Sequence, residues 1–111
     1  MTIRKHRHQD ILILAPGERL TISHDGDELT SAVRQGLADG VMNILIDLSA
    51  VEFIDSLGVG QIASALVSIR NRGGQLILCG VRPRAALVLR MANLHLALEM
   101  KEEGPPPGMW D

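Results

Sequence analysis

The 111-residue sequence is poor in several residue types on which whole classes of function depend. Its one cysteine, Cys79, excludes an intramolecular disulfide and any Cys-x-x-Cys redox or zinc pair, and it suits a reducing compartment. Phe53 and Trp110 are the only aromatic residues apart from histidine, which argues against a single-strand nucleic-acid platform that stacks bases on exposed rings. Neither sign of charge dominates: 11 Lys and Arg stand against 13 Asp and Glu, for a formal net charge of −2. No broad positive field is therefore available to hold a nucleic-acid duplex or an anionic membrane. Long apolar runs are also missing, because Asp47, Glu52, Asp55, Gln61 and Arg70 interrupt every window that approaches the ~18 residues of a spanning helix. The start, Met1 to His8, is polar and basic, and Ile11 to Pro16 is too short for the apolar region of a secretion signal. A soluble cytoplasmic protein is expected. The four histidines show no metal-ligand spacing, so neither a metal nor another cofactor is expected.

What the sequence does have is 46% apolar residues, enough for one domain with its own core and no staples. Ile11 to Leu14 reads as a buried strand ended by Pro16-Gly17, with Thr2 to His8 available to pair beside it. The basic run Arg4 to His8 reads as a solvated start. Asp25 to Asp39 carries Leu29, Ala32, Val33, Gly36 and Leu37 at helical spacing, stopped by Gly40. Met42 to Leu48 is a nearly continuous β-rich run. From Ser56 to Arg72, the residues Val59, Ile62, Ala63, Leu66 and Ile69 form one helical stripe that ends at Gly73-Gly74.

Leu76 to Cys79 is a further short strand, with Cys79 packing as a small hydrophobe. Pro83 opens a helix through Ala92 that should turn Leu87, Val88 and Met91 inward, and Asn93 can close it in the left-handed conformation. Leu94, Leu96, Leu98 and Met100 alternate with more polar residues and predict a half-buried final strand. Lys101 onward, with Pro105-Pro106-Pro107, reads as a mobile tail in which Trp110 is exposed. Strands alternating with helices from 42 to 100 imply crossover units, hence an α/β domain, and an edge hairpin at the start makes the sheet mixed.

The stretch that carries function runs from Asp47 to Gly60. A strand ends, a short connection follows, and Ser56 falls at the predicted N-cap of the longest helix, facing the positive end of its dipole. Gly58 and Gly60 strip side chains from the first turns at about 1 kcal/mol each in helix propensity, which lets a partner approach the backbone. Taken alone, these residues favour a plain cap with glycines that ease helix packing. Other chemistry is not indicated: Ile54 stands where a GxSxG elbow needs glycine, and the stretch lacks both a third dinucleotide glycine and a Walker lysine.

Asp47-Leu48, Phe53-Ile54-Asp55-Ser56-Leu57-Gly58-Val59-Gly60 and Gly73-Gly74-Gln75-Leu76 together resemble the STAS domain of bacterial anti-sigma factor antagonists, most strongly over residues 44 to 80. The resemblance implies a single STAS domain over residues 1 to 102, with its core at 11 to 100 and a flexible tail at 103 to 111. It also implies a four- or five-stranded mixed sheet with helices mainly on one face. By the same resemblance, Ser56 is the phosphorylation site and Asp55, Ser56, Leu57, Gly58, Val59, Gly60 and Gln61 form the partner-binding corner. The partners it implies are an anti-sigma factor with serine kinase activity and a resetting serine phosphatase, the chain itself catalysing nothing. Leu57 departs from the Ser or Thr common at that position, and Thr21 from an acidic residue; an apolar Leu57 is either a docking contact or a partly buried core residue. The alternative is a constitutive STAS scaffold in a lipid-transport or transporter complex, never phosphorylated; ligand sensing by the same corner is a third.

Overall fold

A computed structural model describes residues 3–21 and 26–110. Thr2 and the Ile22 to Asp25 segment, where the first helix was expected to start, fall outside the described residues. The elements are β1 (Arg4–His8), β2 (Ile11–Ala15), β3 (Arg19–Leu20), α1 (Gly26–Ala38), β4 (Asn43–Asp47), β5 (Phe53–Ile54), α2 (Ser56–Asn71), β6 (Gln75–Cys79), α3 (Pro83–Met91), a 3₁₀ turn (Leu94–Leu96) and β7 (Glu99–Met100). Five strands form one sheet in the order β1-β2-β4-β6-β7, with β1 antiparallel to β2 and the other pairs parallel. A separate two-stranded parallel pair joins β3 to β5. The basic run Arg4 to His8 is thus an edge strand of the sheet.

Strand alternation divides the sheet between two environments. Leu14, Ile44, Ile46, Leu76 and Leu78 face the helices and join Leu29, Val33, Leu37, Val59, Ile62, Leu66 and Ile69 in one core. The stripes expected on α1 and α2 are buried, except that on α2 Ala65 is the fully buried alanine and Ala63 is only partly so. Gly73, at φ 79°, ends α2 in the left-handed region that glycine enters without strain. Pro83 sits in the first turn of α3, and Asn93 is left-handed at φ 61°.

Two expectations near the end of the chain are corrected. Leu94 to Met100 is not one strand: residues 94–96 form a 3₁₀ turn, and only Glu99–Met100 pairs with β6. The inward residues are Leu94 and Leu98, one helical turn apart and tied by Leu98 N–H donating to the Leu94 carbonyl at 3.1 Å, whereas Leu96 is 77% exposed. A pattern of period two and a pattern of period four share those leucines, and the left-handed Asn93 selects the turn. In α3 the fully inward residues are Ala85 and Leu89; Val88 packs against the core in part, as expected, whereas Leu87 and Met91 stand outside. α3 packs against α2, β5 and the 3₁₀ turn through one face, so the apolar residues of this nine-residue helix outnumber its inward positions.

The second face of the sheet presents Ile13, Leu45, Ile77 and Cys79, and the C-terminal segment crosses it. Lys101 N–H donates to the Leu78 carbonyl at 2.8 Å, Val81 N–H to Lys101 at 3.0 Å, and Gly80 N–H to Glu103 at 2.6 Å. At the far edge, the Arg4 guanidinium lies 4.2 Å from the Trp110 ring centroid, with the His6 ring at 6.3 Å. Trp110, expected to be exposed, is therefore partly buried, because its ring finds a cation on β1. The strap accounts for the burial of Ile13 and Cys79, neither of which belongs to the helix-side core.

Cys79 donates weakly to the Ile46 carbonyl at 3.7 Å. Burial, and then the Asp47 carboxylate, push its thiol up to about 12. A thiol held above its ordinary 9.0 adds stability that is whole below that pH and disappears as pH rises toward about 12. Denaturant titrations across that window should show stability falling with pH, and Cys79→Ala should flatten the fall. Removing residues 102–111 should speed labelling of Cys79 by a disulfide reagent at about pH 8, because the cover goes while the strand stays.

Candidate functional site

The site is built where β4 ends and α2 begins. Asp47, 7% exposed, closes β4 by accepting from the Ser49 N–H at 3.0 Å and the Ser49 hydroxyl at 2.5 Å. The chain then bends over the β3 connection, where the Glu18 carbonyl accepts from the N–H groups of Glu52 and Phe53 at 2.8 and 3.0 Å. These bonds set the height at which residues 53–56 emerge above the sheet.

Asp55, not Ser56, caps α2. It has extended backbone at φ −107° and ψ −179°, and its carboxylate accepts from Gly58 N–H at 2.8 Å while its carbonyl accepts from Val59 N–H at 2.9 Å. A cap must reach the amide three residues on, and Asp55 does so, moving Ser56 into the first helical position. That correction changes what the hydroxyl is for. Ser56 is exposed, and among the described residues its hydroxyl has no hydrogen-bond partner, so it is chemically unspent.

The other members of the expected corner separate by burial. Asp55, Ser56, Leu57 and Gly60 are exposed, and Leu57, at 52% exposure, is no core residue. Gly58 and Val59 are buried and contribute shape to the corner without forming its surface. Gln61 is half-buried and accepts from the Thr30 hydroxyl, tying α2 to α1.

The two glycines, alike in sequence, differ in cause. A Cβ on Gly58 would lie 2.0 Å from the Leu20 carbonyl oxygen, so its absence lets α2 seat against β3. A Cβ on Gly60 would meet nothing within 4 Å. Packing explains the first glycine and leaves the second unexplained. On a solvated flank the second forgoes about 1 kcal/mol of helix propensity with no internal return.

Sequence reasoning missed the rim. Phe53 is 39% exposed with the Arg19 guanidinium 4.5 Å from its ring centroid, and Arg82 meets Glu52 at 3.8 Å. With Val51, Pro83 and Arg84, the residues Glu52, Phe53 and Arg82 line a depression of about 410 Å³ beside the corner. The signal was an aromatic in a chain with almost none, and an Arg-Pro-Arg start to α3. Among the described residues no cluster of His, Cys, Asp and Glu is arranged to hold a metal.

Asp55→Ala should lower stability by about 0.5–2 kcal/mol, whereas Ser56→Ala should stay within about 0.5 kcal/mol of the parent. Gly58→Ala should destabilise by about 1–3 kcal/mol through its backbone clash, and Gly60→Ala should stabilise by up to about 1 kcal/mol. Chemical denaturation of the four variants checks the set.

A family profile for the STAS domain matches residues 2–103. The chain is 34% identical over 86 residues to a Thermotoga neapolitana protein named as a candidate anti-sigma factor antagonist, a match covering 78% of this chain and 76% of that one. The 1.59 Å crystal structure of a Thermotoga maritima protein with the same designation superposes with a TM-score of 0.82 at 29% identity, covering 89% of this chain and 85% of that one. The Bacillus anti-sigma factor antagonist SpoIIAA, solved unphosphorylated and phosphorylated, shares the fold at a TM-score of 0.72 and 16% identity; the matches cover 89% of this chain and 86% and 90% of those chains. A mixed five-stranded sheet with three helices, the Asp-Ser corner at the head of α2 and these matches converge on one assignment: the chain belongs to the STAS domain family.

Proposed function

We propose that this chain is a phospho-regulated anti-sigma factor antagonist, in which the corner from Asp55 to Gln61 binds an anti-sigma factor that is also a serine kinase. Phosphorylation of Ser56 by that partner ends the complex, and a serine phosphatase restores it. The chain acts by binding, with no catalysis of its own. The observation that carries the reading is an unpartnered Ser56 hydroxyl at the head of α2, one turn from a helical glycine for which internal packing offers no reason. A bare backbone at Gly60 admits a close neighbour, and the exposed Leu57 gives that neighbour an apolar contact.

Charge explains how one phosphate would switch the surface and leave the fold intact. At the first position of α2, about −1.5 to −2 units of charge meet the positive end of the helix, which favours an anion by up to ~2 kcal/mol. The Asp55 cap sits on the preceding residue and keeps its bond to Gly58, so the helix start does not depend on the modified side chain. In a docked complex the same phosphate would be desolvated next to the Asp55 carboxylate, a like charge, and would need new donors from the partner. The free domain tolerates the phosphate and the interface does not.

Incubation with a cognate serine-kinase anti-sigma factor and ATP should place one phosphate on Ser56 by mass spectrometry, and Ser56→Ala should accept none. Ser56→Asp should weaken the complex by about tenfold or more, roughly 1.4 kcal/mol, in a titration against the unphosphorylated chain. Gly60→Ala should weaken it too while stabilising the free domain. An unmodified Ser56 together with unchanged affinity for Ser56→Asp would reject the switch in favour of constitutive binding.

A further inference from the structure

The rim beside the Ser56 corner holds an aromatic ring that the core does not take up. Phe53 is the only phenylalanine in the chain, and it keeps 39% of its surface exposed although β5 is flanked by β3 and α3. Arg19 stands opposite it across the β3–β5 pair, with its guanidinium 4.5 Å from the ring centroid, so ring and cation hold each other in one orientation. Pro83, fixed in its backbone, and the buried Val51 continue the apolar part of the 410 Å³ depression. A depression of that size takes a large apolar side chain together with its neighbours.

Charge around the depression is unbalanced. Glu52 already meets Arg82, and Asp55 accepts from the Gly58 N–H. Arg19 and Arg84 are exposed, and neither has a carboxylate partner among the described residues. Glu18, next to Arg19, does not line the depression. The first turn of α3 holds no acidic residue that would offset these cations. The chain as a whole carries two negative units, so the positive excess is local. Aromatic rings and arginines are the side chains enriched at the centres of protein interfaces, because both supply wide contact at little cost in conformational freedom. Phe53 lies three residues from Ser56, and a protein seated on the corner therefore reaches the rim.

We propose that the rim anchors the anti-sigma factor through an acidic segment of that protein. One apolar side chain of the segment enters the depression against Phe53, Pro83 and Val51, and carboxylates flanking it pair with Arg19 and Arg84. The inference rests on the function proposed above and adds to it the chemistry of the partner's contact.

The test is biolayer interferometry of the cognate serine-kinase anti-sigma factor against immobilised variants, at low and at high salt. Arg84→Glu should slow association by about tenfold at low salt, and high salt should narrow the difference. Lys5→Glu, the same charge change on β1 at the opposite edge of the sheet, should associate as the parent does. Phe53→Ala should speed dissociation by about tenfold, with Phe53→Leu between. Arg84 has no hydrogen bond or ion pair among the described residues, so Arg84→Glu should keep the parent's denaturation midpoint and remains informative where Phe53→Ala loses stability. Faster association of Arg84→Glu makes the partner basic at this point and overturns the proposal. So does parent-like binding of either Phe53→Ala or Arg84→Glu; if Ser56→Asp still weakens the complex, the switch at Ser56 stands without the rim. A parent chain that neither binds the kinase nor accepts phosphate removes both.

Discussion

The bond from Gly58 N–H to the Asp55 carboxylate decides where α2 begins, and most of what this molecule presents to others follows from that start. Were the helix to begin one residue later, with Ser56 as cap, the hydroxyl would be committed to a backbone amide and unavailable to a partner. With Asp55 in that role, the serine becomes a side chain with no structural duty at the positive end of a sixteen-residue helix. The close approach of Gly58 to the Leu20 carbonyl then locks the helix head onto the β3–β5 pair, so the corner is held by backbone on two sides.

Much of the fold was legible because the central strands and the two longer helices are strongly patterned. Leu29, Ala32, Val33 and Leu37 on α1, and Val59, Ile62, Leu66 and Ile69 on α2, could be buried together only as helices, and the structure buries them so. The errors came where two periods share the same residues or where an element has too few neighbours. Leu94 and Leu98 satisfy both an alternating and a helical pattern, and the choice depends on the left-handed Asn93 and on the room beside β6. Leu87 and Met91 look inward by composition, but α3 turns Ala85 and Leu89 fully inward, with Ala86 and Val88 at the margin of the core.

At the site, the position of Ser56 was legible and its role as a cap was not. Adjacent Asp and Ser are both good caps, and only the backbone geometry shows which side chain reaches the third amide. The difference between Gly58 and Gly60 was equally hidden, since one faces β3 and the other faces nothing, a distinction that exists only in three dimensions. The strap over the second sheet face was invisible for a further reason: proline-rich composition describes how a segment behaves alone, and here Trp110 lies against a cation from the opposite end of the chain.

The open rim of the sheet bears on how the molecule behaves in crowded solution. β7 pairs over only two residues, and β1 is a five-residue strand at the opposite edge of the sheet. That strand is Arg-Lys-His-Arg-His, three cations and two imidazoles in succession. A second molecule adding its own β1 would bring the cations Arg4, Lys5 and Arg7 close to like charges. The rim therefore repels its own copies, and growth of the sheet into fibrils is discouraged at the edge most able to start it.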